Sequence, residues 1–198
     1  MFLSLLYFIK VVVKMNNFVI FAPPGGGKST INNYLAKKYG YAIFDCDKYL
    51  DGIFTKELRQ KIKDEKRYLD LKKRTLIDKI NTIELSTTII DLGGGTVFRE
   101  PDFINFLKTK QLTIVYLDIN YSIIEGTLER NYKEIQKRKF LVNYNLKDWR
   151  STLKKYYNEY QTLKLYADYL IKPDEYYTIE NIVEEIEKII NKHNTENI

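Results

Sequence analysis

A glycine-rich stretch followed by Lys-Ser-Thr gives the clearest chemical signal in this sequence. Residues 22–30 read Ala-Pro-Pro-Gly-Gly-Gly-Lys-Ser-Thr and lie between a predicted strand at 17–22 and a predicted helix at 29–39. The side-chain-free units Gly25, Gly26 and Gly27 let successive backbone N–H groups face a polyphosphate. Because a helix N-terminus also attracts negative charge, this arrangement predicts a phosphate-binding loop.

The residues after the glycines extend that prediction to a nucleotide site. We expect Lys28 to reach the β- and γ-phosphates of ATP and the Ser29 hydroxyl to ligate Mg²⁺, with Thr30 in the same binding segment. Ala22 stands where the usual pattern has its first glycine, and it is tolerated if its φ stays negative. An ordinary strand-to-helix turn is the alternative.

Two aspartates follow the second predicted strand, at 41–45. Strand alternation places Asp45 and Asp47 on one side and Cys46 on the other, at the sheet edge where open parallel sheets bind ligands. We expect Asp45 to hold Mg²⁺ through water, and Asp47 to orient an attacking hydroxyl or accept its proton. The alternative is that both carboxylates only cap the helix beginning near residue 48.

A second glycine-rich turn is predicted at the same edge, after a third strand at 87–92. A ligand can approach the backbone at Gly93, Gly94 and Gly95 closely, because no Cβ intrudes. A turn that needs positive φ is the alternative explanation of this triplet. Asp91, near the end of the strand, is predicted either to belong to the Mg²⁺ site or to act as a cap.

Composition excludes several other kinds of site. The chain has 198 residues, with a single histidine, His193, and a single cysteine, Cys46. These numbers argue against Ser-His-Asp and Cys-His mechanisms, intramolecular disulfides and cysteine-based zinc sites. The net charge of +6 suits a small anionic ligand and does not predict a nucleic acid partner. We expect a cytoplasmic monomer in which Cys46 is a small buried residue.

The elements that must position these residues alternate between strands and helices. Short apolar runs bounded by glycine or proline indicate strands, and apolar residues at helical spacing indicate helices. Further strands are predicted at 112–118 and 168–171, and further helices at 48–82 (with a break), 101–109, 121–133, 146–164 and 178–192. This order predicts one α/β domain over 15–193, in which helices cover both faces of a parallel sheet.

Both ends of the chain are predicted to lie outside that domain. Residues 1–14, MFLSLLYFIKVVVK, form an apolar run that is shorter than the roughly 20 residues needed to span a bilayer. We expect an extension, or an extra strand or helix packed on the fold, with membrane attachment as the alternative. Residues 194–198 are polar and are predicted to be frayed.

Taken in order, these motifs resemble the shikimate kinase family over about residues 16–190. The loop ending GGGKST is followed by FDCD, IIDLGGG, LTIVYLD, a basic segment around Arg138, and YAD before the last strand. The resemblance implies the three-layer αβα fold of P-loop kinases, with a five-stranded parallel sheet of order 2-3-1-4-5 and a small helical lid at about 131–145. It also implies Mg²⁺-dependent transfer of the γ-phosphoryl group of ATP to a hydroxyl of a small molecule.

The resemblance further implies roles for individual positions. The matched residues are Lys28 and Ser29 in the phosphate loop, Asp45 at the metal, Asp47 at the substrate hydroxyls, Gly93, Gly94 and Gly95 along the substrate pocket, Arg138 in the lid and Arg130 before it. A mobile guanidinium in the lid would close on the phosphoryl oxygens, on which charge grows during transfer. A solvated run of surface cations is the alternative for 133–139.

Two departures from the family pattern concern the phosphoryl acceptor. Glu159 stands where the family has an arginine that binds the substrate carboxylate. For a second substrate arginine of the family, the candidates are Arg67 and Arg74, which lie on one helix face. The alternative acceptors are therefore another small alcohol, a nucleoside, or a nucleoside monophosphate bound by Arg67, Arg74 and Arg99. A nucleotide-binding protein without turnover is the alternative from a different class.

Overall fold

The computed structural model describes residues 18–93, 100–130, 148–173 and 178–196. Five strands occur in these ranges: β1 (Phe18–Phe21), β2 (Ala42–Asp45), β3 (Thr88–Asp91), β4 (Thr113–Leu117) and β5 (Tyr169–Ile171). The α-helices are α1 (Lys28–Tyr39), α2 (Cys46–Ile53), α3 (Lys56–Lys61), α4 (Glu65–Asn81), α5 (Pro101–Thr109), α6 (Tyr121–Arg130), α7 (Trp149–Gln161) and α8 (Ile179–Glu196). Short 3₁₀ turns at Leu85–Thr87 and Thr162–Tyr166 precede β3 and β5.

The strands form one parallel sheet in the order β2-β3-β1-β4-β5, which confirms the expected topology. Every residue of β1 is buried, because a central parallel strand is covered on both faces. The edge strands are more open, and Leu170 of β5 is 48% exposed. The register pairs Asp45 at the end of β2 with Asp91 at the end of β3, so two of the three predicted metal ligands lie side by side.

Helices bury one apolar cluster against each face of the sheet, and the result is a three-layer αβα fold. On one face, α1, α7 and α8 contribute Leu35, Leu153 and Val183, among others. On the other face, α4 and α5 contribute Leu76 and Phe103, together with Tyr160 and Leu163 from the end of α7 and the turn after it. This double burial holds the carboxyl-terminal ends of β1, β2 and β3 at one edge.

The long helical stretch predicted at 48–82 is three helices, α2, α3 and α4. Two side chains start the second and third of these: Thr55 accepts a hydrogen bond from Leu58 N, and Asp64 accepts one from Arg67 N. Such caps satisfy N–H groups that have no partner within the helix. The other predicted elements are confirmed with small shifts at their ends, and the last helix continues to Glu196 instead of ending near residue 192.

Several predictions fall outside the described ranges. They concern the segment 1–14, Gly94, Gly95, Arg99, and the lid segment with Arg138. Within the ranges that are described, none of the helices combines the length and the apolar character needed to cross a membrane.

Candidate active site

The phosphate loop depends on two glycines with left-handed backbone conformations. Gly25 has φ 91° and Gly27 has φ 77°, values that residues with a Cβ rarely adopt. A Cβ on Gly25 would also lie only 2.9 Å from Ile124 Cγ2 of α6. Between them, Gly26 N donates to Pro23 O at 2.9 Å and closes a tight turn. Substitution of either left-handed glycine would therefore distort the loop.

The loop ends at a helix N-terminus that is open to an anion. Gly27 is the N-cap of α1, and within the described residues no side chain caps this helix and its first turn has no acidic residue. Ser29 and Thr30 are exposed in that first turn. The first N–H groups of a helix need external acceptors and carry partial positive charge. Ala22 is not among the described residues with positive φ. It therefore meets the condition under which alanine can replace the first glycine of the phosphate-loop pattern.

An ion pair joins Lys28, the first residue of α1, to Asp91 at the end of β3. Both side chains are largely buried, with 15% and 12% of their surface exposed. Burial lowers the pKa of the Lys28 ammonium to about 8, against the attraction of the nearby Asp47 and Asp45 carboxylates. A desolvated ammonium gains from each further anion placed beside it, so this lysine is suited to a polyphosphate.

The chain turns into a helix sooner after β2 than the sequence indicated. Because α2 begins at Cys46, strand alternation ends at Asp45 and does not place Asp47, which lies in the first turn of the helix. Asp45 is the N-cap and accepts a hydrogen bond from Lys48 N at 2.9 Å. Asp45 therefore caps α2, and its role at the metal stays a prediction. Cys46 is fully buried, as expected.

Asp47 and Gly93 lie in direct contact at the edge of the sheet. A Cβ built on Gly93 would overlap the carboxylate carbon and both carboxylate oxygens of Asp47. Gly93 does not have a left-handed φ. This position therefore favours glycine because a side chain has no room there, and not because of the backbone conformation. The contact brings together two predicted substrate residues that are far apart in sequence. Asp47 also acts electrostatically on Lys28, so the predicted acceptor and phosphate residues adjoin each other.

The predicted arginines are distributed differently. Arg67 and Arg74 line one exposed cavity of about 380 Å³ on the outer side of α4, whereas Tyr68 and Leu76 are buried on the other side of this helix. Arg130 is exposed at the end of α6. Substrate roles for Arg67 and Arg74 and a catalytic role for Arg130 stay predictions.

Two side chains near the site were not singled out from the sequence. The Tyr160 hydroxyl of α7 donates a hydrogen bond to Gly93 O at 3.3 Å. Asn32, one turn after Lys28 in α1, is fully buried, and neither polar atom of its amide has a hydrogen-bond partner in the described structure. No local pattern distinguishes Tyr160 from other tyrosines, whereas an asparagine on the buried face of α1 was a readable signal.

Sequence comparison relates the chain to one family. The sequence model of shikimate kinase matches residues 24–191. The shikimate kinase of Macrococcus caseolyticus is 31% identical over 108 residues, which are 54% of this chain and 61% of that protein. A shikimate kinase of Staphylococcus aureus is 33% identical over 102 residues, 50% of this chain and 55% of that protein. The aligned part thus spans less than two thirds of these curated relatives.

Solved structures share the fold over nearly the whole chain. Shikimate kinase from Acinetobacter baumannii, in complex with shikimate, superposes with a TM-score of 0.68 at 19% identity and covers 93% of this chain and 97% of its own. A gluconokinase from Sinorhizobium meliloti gives a TM-score of 0.59 at 13% identity, with 93% and 99% covered. At these identities the likeness establishes the fold alone.

Proposed function

The chain belongs to the shikimate kinase family, and from this premise we propose that it transfers the γ-phosphoryl group of ATP to a hydroxyl group of a small molecule. Shikimate is the first acceptor to test, because the matched curated relatives are shikimate kinases. The observation that carries the proposal is that the predicted phosphate-binding residues and the predicted acceptor residues lie next to each other at one edge of the sheet. Lys28 is the first residue of a helix that no described side chain caps. The Asp47 carboxylate acts electrostatically on Lys28 and lies against Gly93.

Lys28 would bind the β- and γ-phosphates together with the backbone N–H groups of the loop. Its ammonium would leave Asp91, its partner in the structure, for the more highly charged triphosphate. Charge on the transferring phosphoryl oxygens grows in the transition state, and a cation fixed nearby in a largely buried site stabilises it without reorganisation. Gly25, Gly26, Gly27, Ser29 and Thr30 complete the ATP-binding segment that we propose.

The donor set fits Mg²⁺, which commonly uses one or two carboxylates together with phosphate oxygens. Asp45 and Asp91 are register partners at adjacent strand ends, and the Ser29 hydroxyl lies in the first turn of α1. In the described ranges there is no group of three or more His, Cys, Asp and Glu side chains that could hold a metal. We assign Ser29, Asp45 and Asp91 to the ion, which when bound would neutralise phosphate charge.

Asp47 is the residue that we assign to the acceptor hydroxyl. Its carboxylate would orient the hydroxyl in line with the γ-phosphorus and accept its proton as the new P–O bond forms and the bond between the γ-phosphorus and the leaving ADP breaks. The family resemblance adds Arg138 and Arg130 on the phosphoryl group and Gly94 and Gly95 along the acceptor.

An acceptor without a carboxylate is the second candidate, and Glu159 supports it. In the sequence, Glu159 stands where the family resemblance places an arginine that binds the substrate carboxylate. An anion there would repel a carboxylate ligand. The outward placement of Arg67 and Arg74 does not favour a nucleoside monophosphate as the acceptor.

A panel of acceptors in an ADP-release assay tests the proposal. Shikimate, gluconate, neutral polyols, nucleosides and nucleoside monophosphates would each be supplied with ATP and Mg²⁺. We expect one acceptor to raise ADP formation clearly above the background without acceptor. The rate of acceptor-dependent ADP formation should be at least about a hundredfold lower in the variant Lys28→Ala. It should not fall in Lys37→Ala, a substitution on the exposed side of α1. Background rates with every acceptor would contradict the proposal.

The location and assembly of the protein also stay predictions. We expect a cytoplasmic monomer, and size-exclusion chromatography with light scattering measures the assembly state directly.

A further inference from the structure

Asn32 of α1 carries a buried amide to which phosphotransfer gives no role. The residue is fully buried, and neither polar atom of its amide has a hydrogen-bond partner in the described parts of the chain. The other buried residues of α1 are apolar: Ile31, Leu35 and Ala36. Burying an amide without a partner costs free energy that an apolar side chain of similar shape avoids. An asparagine here therefore indicates a second arrangement of the site, in which the amide has a partner.

Asn32 follows Lys28 by one helical turn. Side chains four residues apart on a helix lie on the same face, with about 5–6 Å between their Cβ atoms. From this face Lys28 reaches Asp91, with which it forms an ion pair through the carboxylate oxygen Oδ1. The Asn32 amide is therefore the next polar group on this face of α1 after the cation that Asp91 contacts.

Asp91 points toward α1 from the end of β3. Ile89 belongs to the apolar cluster that contains Leu35 of α1, whereas Ile90 belongs to the cluster on the other face of the sheet. Because the side chains of a strand alternate between faces, Asp91 lies on the same face as Ile89.

The direction of α1 brings Asn32 to the same part of the sheet. The helix connects β1 to β2, which are both parallel to β3, and it packs against β3. It therefore runs back along the sheet from the edge at which Asp91 lies. Four helical residues advance about 6 Å and two strand residues about 6.6 Å. Asn32 thus lies on the Ile89 side of the Lys28–Asp91 ion pair, between α1 and β3.

Binding of ATP would leave the Asp91 carboxylate without its cation. In the proposed function the Lys28 ammonium moves to the triphosphate, whereas Asp91 is largely buried, with 12% of its side chain exposed. A buried carboxylate whose partner is removed is strongly destabilised, and the amide of Asn32 carries two N–H donors. A hydrogen bond from Asn32 Nδ2 to Asp91 would therefore satisfy both groups in the nucleotide-bound state.

We propose that Asn32 is a positioning residue, which donates a hydrogen bond to Asp91 when Lys28 moves to the triphosphate and so holds this carboxylate for Mg²⁺. The inference rests on the proposed function, because it concerns the nucleotide-bound state of the same site. Asn32 acts through Asp91 and needs no contact with ATP. It strengthens ATP binding because it stabilises the bound state more than the free state.

A test without nucleotide uses Lys28→Met, which removes the ammonium from Asp91 and keeps an unbranched side chain. In the wild-type background Asn32→Leu should raise the denaturant midpoint, because the amide has no partner there. In the Lys28→Met background the amide should hold Asp91, so that the same substitution lowers the midpoint. The control Asn33→Leu, at an exposed position of α1, should give the same small shift in both backgrounds.

The difference between the two backgrounds decides the outcome, because it isolates the interaction of Asn32 with Asp91 from other effects of the substitution. If leucine does not fit, the smaller Asn32→Ala should lower the midpoint more in Lys28→Met than in the wild-type background. The same shift in both backgrounds, of either sign, would overturn the proposal.

Calorimetry with ATP and Mg²⁺ tests the nucleotide-bound state. We expect Asn32→Leu and Asn32→Ala to bind about tenfold more weakly than the wild type, as for the loss of one hydrogen bond to a charged group. In an Asp91→Ala background the effect of Asn32→Leu should fall below about twofold, because its partner is gone. An undiminished loss in that background would overturn the proposal.

Wild-type affinity in both Asn32 variants would also overturn the proposal, and is the result expected if a buried water satisfies the amide in both states. If the wild type does not bind ATP with Mg²⁺, the proposed function fails. The midpoints in the Lys28→Met background still decide, in that case, whether Asn32 is the second partner of Asp91.

Discussion

The two sides of the site are built in different ways. The nucleotide side, residues 22–30, is a continuous segment whose shape comes from the backbone. It has left-handed φ at Gly25 and Gly27 and a helix start at Lys28 that no described side chain caps. The acceptor side consists of Asp47, Gly93 and Tyr160, which come from three separate parts of the chain and are held by direct contacts.

This difference predicts how amino-acid substitutions affect each side of the site. Backbone N–H groups provide general affinity for phosphate, and no single side chain apart from Lys28 defines that surface. The acceptor side depends on the fit between a carboxylate and a residue without a side chain, so a single methyl group would disturb it. Substitutions on the acceptor side should therefore change acceptor use and leave ATP binding intact.

Among substitutions on the acceptor side, Gly93→Ala should show the largest effect. Its Cβ would occupy the space of the Asp47 carboxylate, so either Asp47 or the backbone must move. Since small displacements of a positioned group can cost about a hundredfold in rate, we expect kcat/KM for the acceptor to fall about a hundredfold. The KM for ATP should change less than about twofold in the same steady-state assay.

The matched control is Gly126→Ala in α6, where an added Cβ meets no atom within 4 Å. Alanine is favoured over glycine inside a helix by up to about 1 kcal/mol, so this control should keep its activity and gain slightly in stability. Equal losses of ATP and acceptor use in Gly93→Ala would contradict the division into two sides.

A smaller effect is expected on the nucleotide side when pH rises. The Lys28 ammonium has a pKa of about 8, and a bound triphosphate would raise this pKa because it adds negative charge. Above pH 8 the free protein loses the proton that ATP binding requires. The affinity for ATP should therefore fall by up to about tenfold for each pH unit, as measured by calorimetry.

The variant Lys28→Arg separates this titration from general effects of pH. Arginine stays charged throughout the range, so its affinity for ATP, whatever its value at pH 7, should be nearly constant to about pH 9.5. Constant wild-type affinity over the same range would show that Lys28 does not titrate in the free protein.

The smallest effect concerns stability at Asn32. Its amide is fully buried without a hydrogen-bond partner in the described structure, which costs about 1–3 kcal/mol relative to a satisfied group. Asn32→Leu keeps the number and the branching of the side-chain heavy atoms and has no polar atoms, so we expect the free energy of unfolding to rise by about 1 kcal/mol in denaturant titrations. Asn33→Leu, at the exposed neighbouring position, should change it by less than about 0.5 kcal/mol. A destabilised Asn32→Leu variant would show that the amide is satisfied in solution.

The sequence was most informative where structure is local. Gly25, Gly27 and Lys28 follow one another in the chain, and glycine conformation and helix start are short-range properties. The break between α3 and α4 was readable too, since Asp64 is a regular N-cap. The prediction for Asp47 continued the strand alternation past Asp45 and placed the next helix near residue 48, whereas this helix starts at Cys46 directly after the strand. A strand pattern does not show how soon the next helix begins.

The acceptor side could be predicted only in part. Asp47 and Gly93 were chosen from motifs, but their contact arises because β2 and β3, which they follow in the chain, are neighbours in the sheet. Tyr160 is one of 17 tyrosines, and only the folded chain brings it to Gly93, 67 positions away. The same holds for Lys28 and Asp91, which are 63 positions apart. Contacts of this kind are set by sheet order and helix packing, which a local pattern does not contain.

The most direct test of the central account follows the fate of the γ-phosphorus. Wild-type protein would be incubated with ATP labelled at the γ-phosphate, Mg²⁺ and the acceptor that gives the fastest ADP release. We predict one labelled phosphate ester of the acceptor for each ADP formed. Label recovered only as inorganic phosphate, with the acceptor unchanged, would contradict transfer to a hydroxyl oriented by Asp47.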